Sequence, residues 1–166
     1  MTPQDPARTR TYSWQDPAVS AQTARTLPGI EFLRKIVSGE LPAPPIAYAL
    51  DYALLEVEQG SAVFGIQPAE SHYNPIGMVH GGIPCTLLDS AMGCAVHSTL
   101  PAGVGYTTLE LKVNIIKAIG KDTGFLRAEG KLIHAGRSTA VAEGRLVDEA
   151  GKLYAHATTT CMILRP

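Results

Sequence analysis

Residues 83–97, IPCTLLDSAMGCAVH, are the feature that most constrains this fold. They are the one long helix candidate in a chain whose other patterned stretches mostly alternate with the period of strands. One long helix cannot cover both faces of a sheet. It can pack across a single antiparallel sheet that curves around it, which is an α+β solution. Gly81-Gly82 precede the run, and Pro84 falls in its first turn, where a missing N–H costs nothing.

On a helical wheel at ~100° per residue, Ile83, Leu87, Leu88, Ala91, Met92, Cys94 and Ala95 fill the half expected to bury against the sheet. Asp89 falls on the other half, with Thr86, Ser90 and Gly93. That face is small and nearly uncharged. It suits close approach by a ligand or another backbone better than a solvated surface does. At the start of the helix, bare N–H groups at Gly81 and Gly82 and the helix dipole together favour negative charge, so they are candidate oxyanion donors. Eight residues separate Gly81 from Asp89, roughly 12 Å along a helix rising ~1.5 Å per residue. A reacting carbon sits about 3 Å from both its nucleophile and its oxyanion donor. One chain therefore cannot supply both groups, and the spacing points to a dimer with shared sites.

The strands are read from alternation and turn residues. Residues 46–60 and 61–68 form a hairpin about Gln59-Gly60. Four further strands lie within 103–116, 122–136, 137–151 and 152–166, with turns at 120–122, 135–136 and 148–151. Short connections imply antiparallel neighbours. Ile30, Leu33, Ile36 and Val37 recur at helical spacing, and Gly39 ends that short helix. Residues 1–26 are polar and proline-bearing and read as a loose arm, ordered against a partner chain. The chain divides into an arm and short helix over 1–45 and a main domain over 46–166.

Bulk properties exclude several function classes. A chain of 166 residues, 45% hydrophobic and 17% charged, is globular. A net charge of −1 and 6% aromatic residues give no footprint for nucleic acid or an anionic membrane. Three cysteines at unpaired spacings (Cys85, Cys94, Cys161) fit reduced thiols and a cytoplasmic location, and no membrane span or signal segment is read. His72, His80 and His97 match no zinc spacing, so neither metal nor cofactor is expected. The nucleophile elbow of α/β-hydrolases and the phosphate-binding loop are both absent.

The run Asn74-Pro75-Ile76-Gly77-Met78-Val79-His80-Gly81-Gly82, followed by Asp89, resembles the signature of the PaaI-like acyl-CoA thioesterases. Residues 105–118, GYTTLELKVNIIKA, resemble that family's strand after the helix. The likeness covers about residues 46–164. It implies the hotdog fold, a long helix wrapped by an antiparallel sheet, with residues 27–45 as an extra N-terminal helix. It further implies hydrolysis of an acyl- or aryl-CoA by a homodimer or homotetramer. By position, Asp89 resembles the family's catalytic carboxylate, a nucleophile or general base. Gly81 resembles the residue whose N–H polarises the thioester carbonyl, with Gly82 beside it. Asn74 resembles the residue that orients the water or thioester, and His80 the histidine that shapes the turn. Thr108 resembles a water-holding hydroxyl, with adjacent Thr107 an equal contender. Arg137 and Lys112, Lys117 and Lys121 are candidates for the CoA phosphates. Two other functions fit the same fold, an enoyl-thioester hydratase or dehydratase and a non-catalytic acyl-CoA-binding protein.

Overall fold

The structure, a computed structural model, describes residues 8–166. Residues 1–7, the first part of the expected loose arm, lie outside the described residues. Three helices come first: α1 (Pro17–Thr26), α2 (Gly29–Val37) and α3 (Pro45–Leu50). They are followed by β1 (Tyr52–Glu58), β2 (Ser61–Ile66), the long α4 (Gly82–His97), β3 (Gly105–Ile115), β4 (Leu126–Ala135), β5 (Thr139–Asp148) and β6 (Leu153–Leu164).

The six strands form one antiparallel sheet in the order β1-β2-β4-β5-β6-β3. Helix α4 packs against it, touching all six strands. This is the hotdog arrangement that the resemblance implied. Of the half the wheel assigned to the sheet, Leu87, Leu88, Ala91, Met92 and Ala95 are buried against sheet residues that include Ala128, Ala142, Leu146, Ala155 and Ala157, while Ile83 and Cys94 are half-buried. Gly93, assigned to the other half, is buried too, because Tyr106 of β3 lies over it. Each fully buried Leu or Met side chain contributes about 2 kcal/mol. The small sheet residues let the helix come close. At Gly130 a Cβ would lie 2.3 Å from the Ala91 backbone, so no side chain fits there.

Three expectations need correction. Residues 17–26 are helical rather than loose: Pro17 opens α1, and the Asp16 side chain accepts a hydrogen bond from Ala18 N at 2.9 Å. Before α1, the arm is tied to the body, because the Arg10 guanidinium donates to the carbonyls of Tyr48 (2.8 Å) and Ala49 (2.6 Å). Residues 45–50 form α3 rather than the start of a strand, and β1 begins only after Asp51, whose φ of 56° turns the chain. The N-terminal addition is thus three helices rather than one. Gly39 ends α2 with a φ of +79°, as read.

Strand β3 carries a bulge. Its pairing with β6 slips between Thr108 and Glu110, so Leu109 has no partner and is 53% exposed. A one-residue slip reverses which side chains face inward. Tyr106 and Thr108 face in before the bulge, and Leu111 and Val113 after it, while Thr107 is exposed. No helix among the described residues is long and apolar enough to cross a membrane.

Candidate active site

The half-buried Asp89 lies on the flank of α4 that meets β3, two residues from the buried Leu87. Thr108, brought alongside by β3, donates from Oγ1 to Asp89 Oδ1 at 2.9 Å. This separates the two adjacent threonines, since Thr107 points outward. Asp89 Oδ2 makes no hydrogen bond among the described residues, so it is open to water or substrate.

The loop before α4 is built around Asn74. Its Oδ1 accepts hydrogen bonds from Ile76 N and Met78 N, both at 3.1 Å, and its backbone N–H donates to Met78 O at 2.7 Å. Gly77 sits at φ +83° in this turn. The Asn74 carboxamide oxygen is therefore spent on the loop, and its Nδ2 is the atom left for a ligand.

His80 closes the approach to α4. Its Nδ1 accepts from Gly82 N at 2.9 Å, so the neutral ring carries its proton on Nε2. The expectation of two bare amides is thereby corrected: the Gly82 N–H is occupied by His80. The Gly81 N–H has no acceptor among the described residues. It lies at the positive end of α4, beside Ile115 of β3, whose Cδ1 is 3.1 Å from where a Gly81 Cβ would stand. Arg137 is exposed in the β4–β5 turn, and its carbonyl accepts from Arg165 Nε at 3.2 Å. Strand β6 separates β5 from β3, so two strand spacings of ~4.8 Å divide the sheet end nearest Arg137 from Thr108. The structure does not place Arg137 against Asp89.

Asp89 also borders a cavity of about 330 Å³ that sequence reasoning did not find. Ser90, Cys94 and His97 continue it along α4, Tyr106 comes from β3, Tyr52, Leu54 and Phe64 from β1 and β2, and α1, α2 and the segment before α3 supply the remaining wall. Tyr52 and Ser90 pair their hydroxyls there at 3.3 Å. His97 packs on Phe32 and Tyr106, each with ring centroids 5.6 Å away. Burial pushes the His97 pKa below its usual 6.5. Burial also pushes the Cys94 thiol up to about 12, with the charge of Asp89 adding to the effect, so Cys94 is an inert neighbour rather than a nucleophile. His72 is buried; its Nδ1 accepts from Ala69 N at 3.1 Å, and burial followed by the nearby Arg10 charge lowers its pKa. Among the described residues, no three His, Cys, Asp or Glu side chains gather to hold a metal ion.

A carboxylate on one helix face and an unpartnered amide at the helix start are parts of acyl-transfer chemistry. Comparison with known proteins assigns the lineage. Residues 76–155 match the model of the Thioesterase superfamily. A Saccharolobus solfataricus protein that carries an esterase designation is 34% identical over 116 residues, which cover 70% of this chain and 81% of that one. The chain belongs to the hotdog-fold thioesterase superfamily. The 1,4-dihydroxy-2-naphthoyl-CoA hydrolase of Listeria monocytogenes is 28% identical over 110 residues, 66% of this chain and 88% of the relative. A Ralstonia eutropha structure described as a thioesterase and phenylacetic acid degradation-related protein superposes with a TM-score of 0.70 at 31% identity, covering 78% of this chain and 98% of that one. The reaction class of this superfamily member is thioester hydrolysis.

Proposed function

We propose that this thioesterase hydrolyses an acyl- or aryl-CoA to the free acid and CoA, with its sites shared across a dimer. The observation that carries the proposal is the pairing of two unspent groups on α4. Asp89 is held through one oxygen by Thr108, with the other oxygen free, and the Gly81 N–H is unpartnered at the helix start. The Listeria relative's name specifies a CoA thioester.

The thioester carbonyl accepts a hydrogen bond from Gly81 of one subunit, and Asp89 of the other subunit works on the opposite face. In the general-base route, Asp89 Oδ2 removes a proton from water as the water oxygen adds to the carbonyl carbon. The tetrahedral intermediate then expels the CoA sulfur, which regains that proton from the carboxylic acid. In the nucleophilic route, Asp89 forms an anhydride with release of CoA, and water hydrolyses it. An oxyanion donor supplies about 3 kcal/mol of barrier reduction, and general-base help a factor on the order of 10² to 10⁴. In this reading Asn74 Nδ2 donates to a polar atom of the ligand, while His80 shapes the turn.

The dimer itself is supported by strand β3. It is an edge of the sheet, eleven residues long, and it exposes Leu109 and Ile115 beside the charged Glu110 and Lys112, an edge that a second copy would cover. A homotetramer needs a further contact beyond that pairing. The exposed Arg137 is proposed to meet the CoA phosphates only as a rim charge, and Thr107 and Gly82 to line the approach.

Release of free CoA thiol from a panel of acyl-CoAs tests this reading. Thiol release by the wild type, with loss of at least about 10² in kcat/KM for Asp89→Asn, supports it. Hydration of an enoyl-CoA without thiol release would instead indicate a hydratase, and binding without turnover a sensor.

A further inference from the structure

The cavity beside Asp89 is built half from the long helix and sheet and half from the N-terminal segment. That segment contributes Phe32, Leu33 and Ile36 of α2, together with the prolines leading into α3. All of these residues lie outside 76–155, the part of the chain matching the superfamily model. They are fixed rather than draped. Gly29 opens α2 directly on the end of α4: its N–H donates to Leu100 O at 2.9 Å, and a Cβ there would lie 1.8 Å from the His97 carbonyl oxygen. Phe32 then packs at a tilt on His97, and Phe32 and Leu33 are buried.

Asp89 and His97 stand eight residues apart on α4, so the cavity runs roughly 12 Å along the helix from the carboxylate to the Phe32–His97 contact. Its volume is at the small end for a ligand site. Its lining is mainly apolar and aromatic, with Gln15, Ser20, Asp89, His97 and the Tyr52–Ser90 hydroxyl pair as its polar members.

We propose that this cavity receives the acyl group of the thioester, and that α2 closes it and sets the largest acyl group accepted. The inference rests on the thioesterase reading of Asp89. Because Asp89 and the cavity belong to one chain, the subunit lending the carboxylate also houses the acyl group, while the other subunit contributes the oxyanion donor. The substrate class is a compact apolar acyl, ring-bearing or short, because a long alkyl chain would run into Phe32.

The test measures CoA release from acetyl-, hexanoyl-, benzoyl- and palmitoyl-CoA by the full chain. The wild type is expected to prefer hexanoyl- or benzoyl-CoA over palmitoyl-CoA. Opening the closed end with Phe32→Ala raises the palmitoyl-to-hexanoyl ratio of kcat/KM on the order of tenfold, and filling the cavity with Ile36→Trp lowers the hexanoyl-to-acetyl ratio by a similar factor. A thermal melt confirms folding. Ile36 is only half-buried, so its variant carries the test if Phe32→Ala does not fold. Heterodimers of differently tagged Asp89→Asn and Ile36→Trp subunits test the division of labour. Carboxylate and cavity in one chain predict no recovery of hexanoyl-CoA turnover, because each site has one defect. Recovery to about half the wild-type rate would overturn that assignment, since it requires the two on different chains. Wild-type selectivity in folded variants overturns the role of α2 while leaving the thioesterase reading intact. Failure of the wild type to release thiol from any member overturns both.

Discussion

Asp89 illustrates how little is needed to mark a candidate functional residue. One carboxylate on an otherwise small, uncharged helix face stands out before any coordinates are known. The structure adds how it is held. Thr108→Val removes the donor to Oδ1, and its kcat/KM is expected to fall about tenfold, as for a lost hydrogen bond to a charged group. Thr108→Ser should restore most of the loss, while Thr107→Val should change the rate far less; steady-state thiol release with one substrate measures all three. The choice between these threonines was not legible in the sequence. It depends on a bulge at Leu109, whose position is set by pairing with β6 more than forty residues away. The spent Gly82 N–H was equally hidden, because it depends on how the His80 ring turns.

At the scale of elements, the patterned pieces were readable and the irregular ones were not. Helix α4 was visible because its apolar face repeats at the helical period and Gly81-Gly82 and Pro84 mark its start. The strands β2 to β6 were visible through alternation and turn glycines. Helix α3 was read as strand because Ile46, Tyr48 and Leu50 also alternate. The six-residue helix is too short for periodicity to separate the two, and the capping by Arg10 is a long-range event. Helix α1 has no buried residue, so no apolar stripe announced it. The sheet's dependence on close approach yields a direct prediction. Gly130→Ala should destabilise the protein by about 3 kcal/mol, lowering the melting temperature by roughly 10 °C in a calorimetric scan. The Cβ meets helix backbone rather than a side chain that can move aside.

Across the whole molecule, the hotdog core comes from α4 and the sheet, and the N-terminal helices wall in one edge of the long helix to form a partly open cavity. That assembly also sets a pH response. His97 is held neutral by burial between Phe32 and Tyr106, with its folded-state pKa below 6.5. Above about pH 6.5 both folded and unfolded states carry it neutral. As pH falls below that, the unfolded chain takes up the proton first, so stability is lost until the folded-state pKa is passed. His72 adds to the same trend, through burial and then the Arg10 charge. The melting temperature should therefore drop between about pH 7 and about pH 5, and His97→Phe should make that drop shallower. An unchanged slope would show that other groups control it.

The central claim concerns where Asp89 of one subunit stands relative to Gly81 of the other. A crystal structure of the assembled protein with an unreactive CoA thioester analogue measures this directly. The account predicts the analogue's carbonyl oxygen ~3 Å from the Gly81 nitrogen of one subunit, with Asp89 of the other facing the same carbon and the acyl group beneath that second subunit's α2. A carbonyl away from Gly81, or subunits arranged so that no Asp89 approaches a neighbouring Gly81, would contradict it.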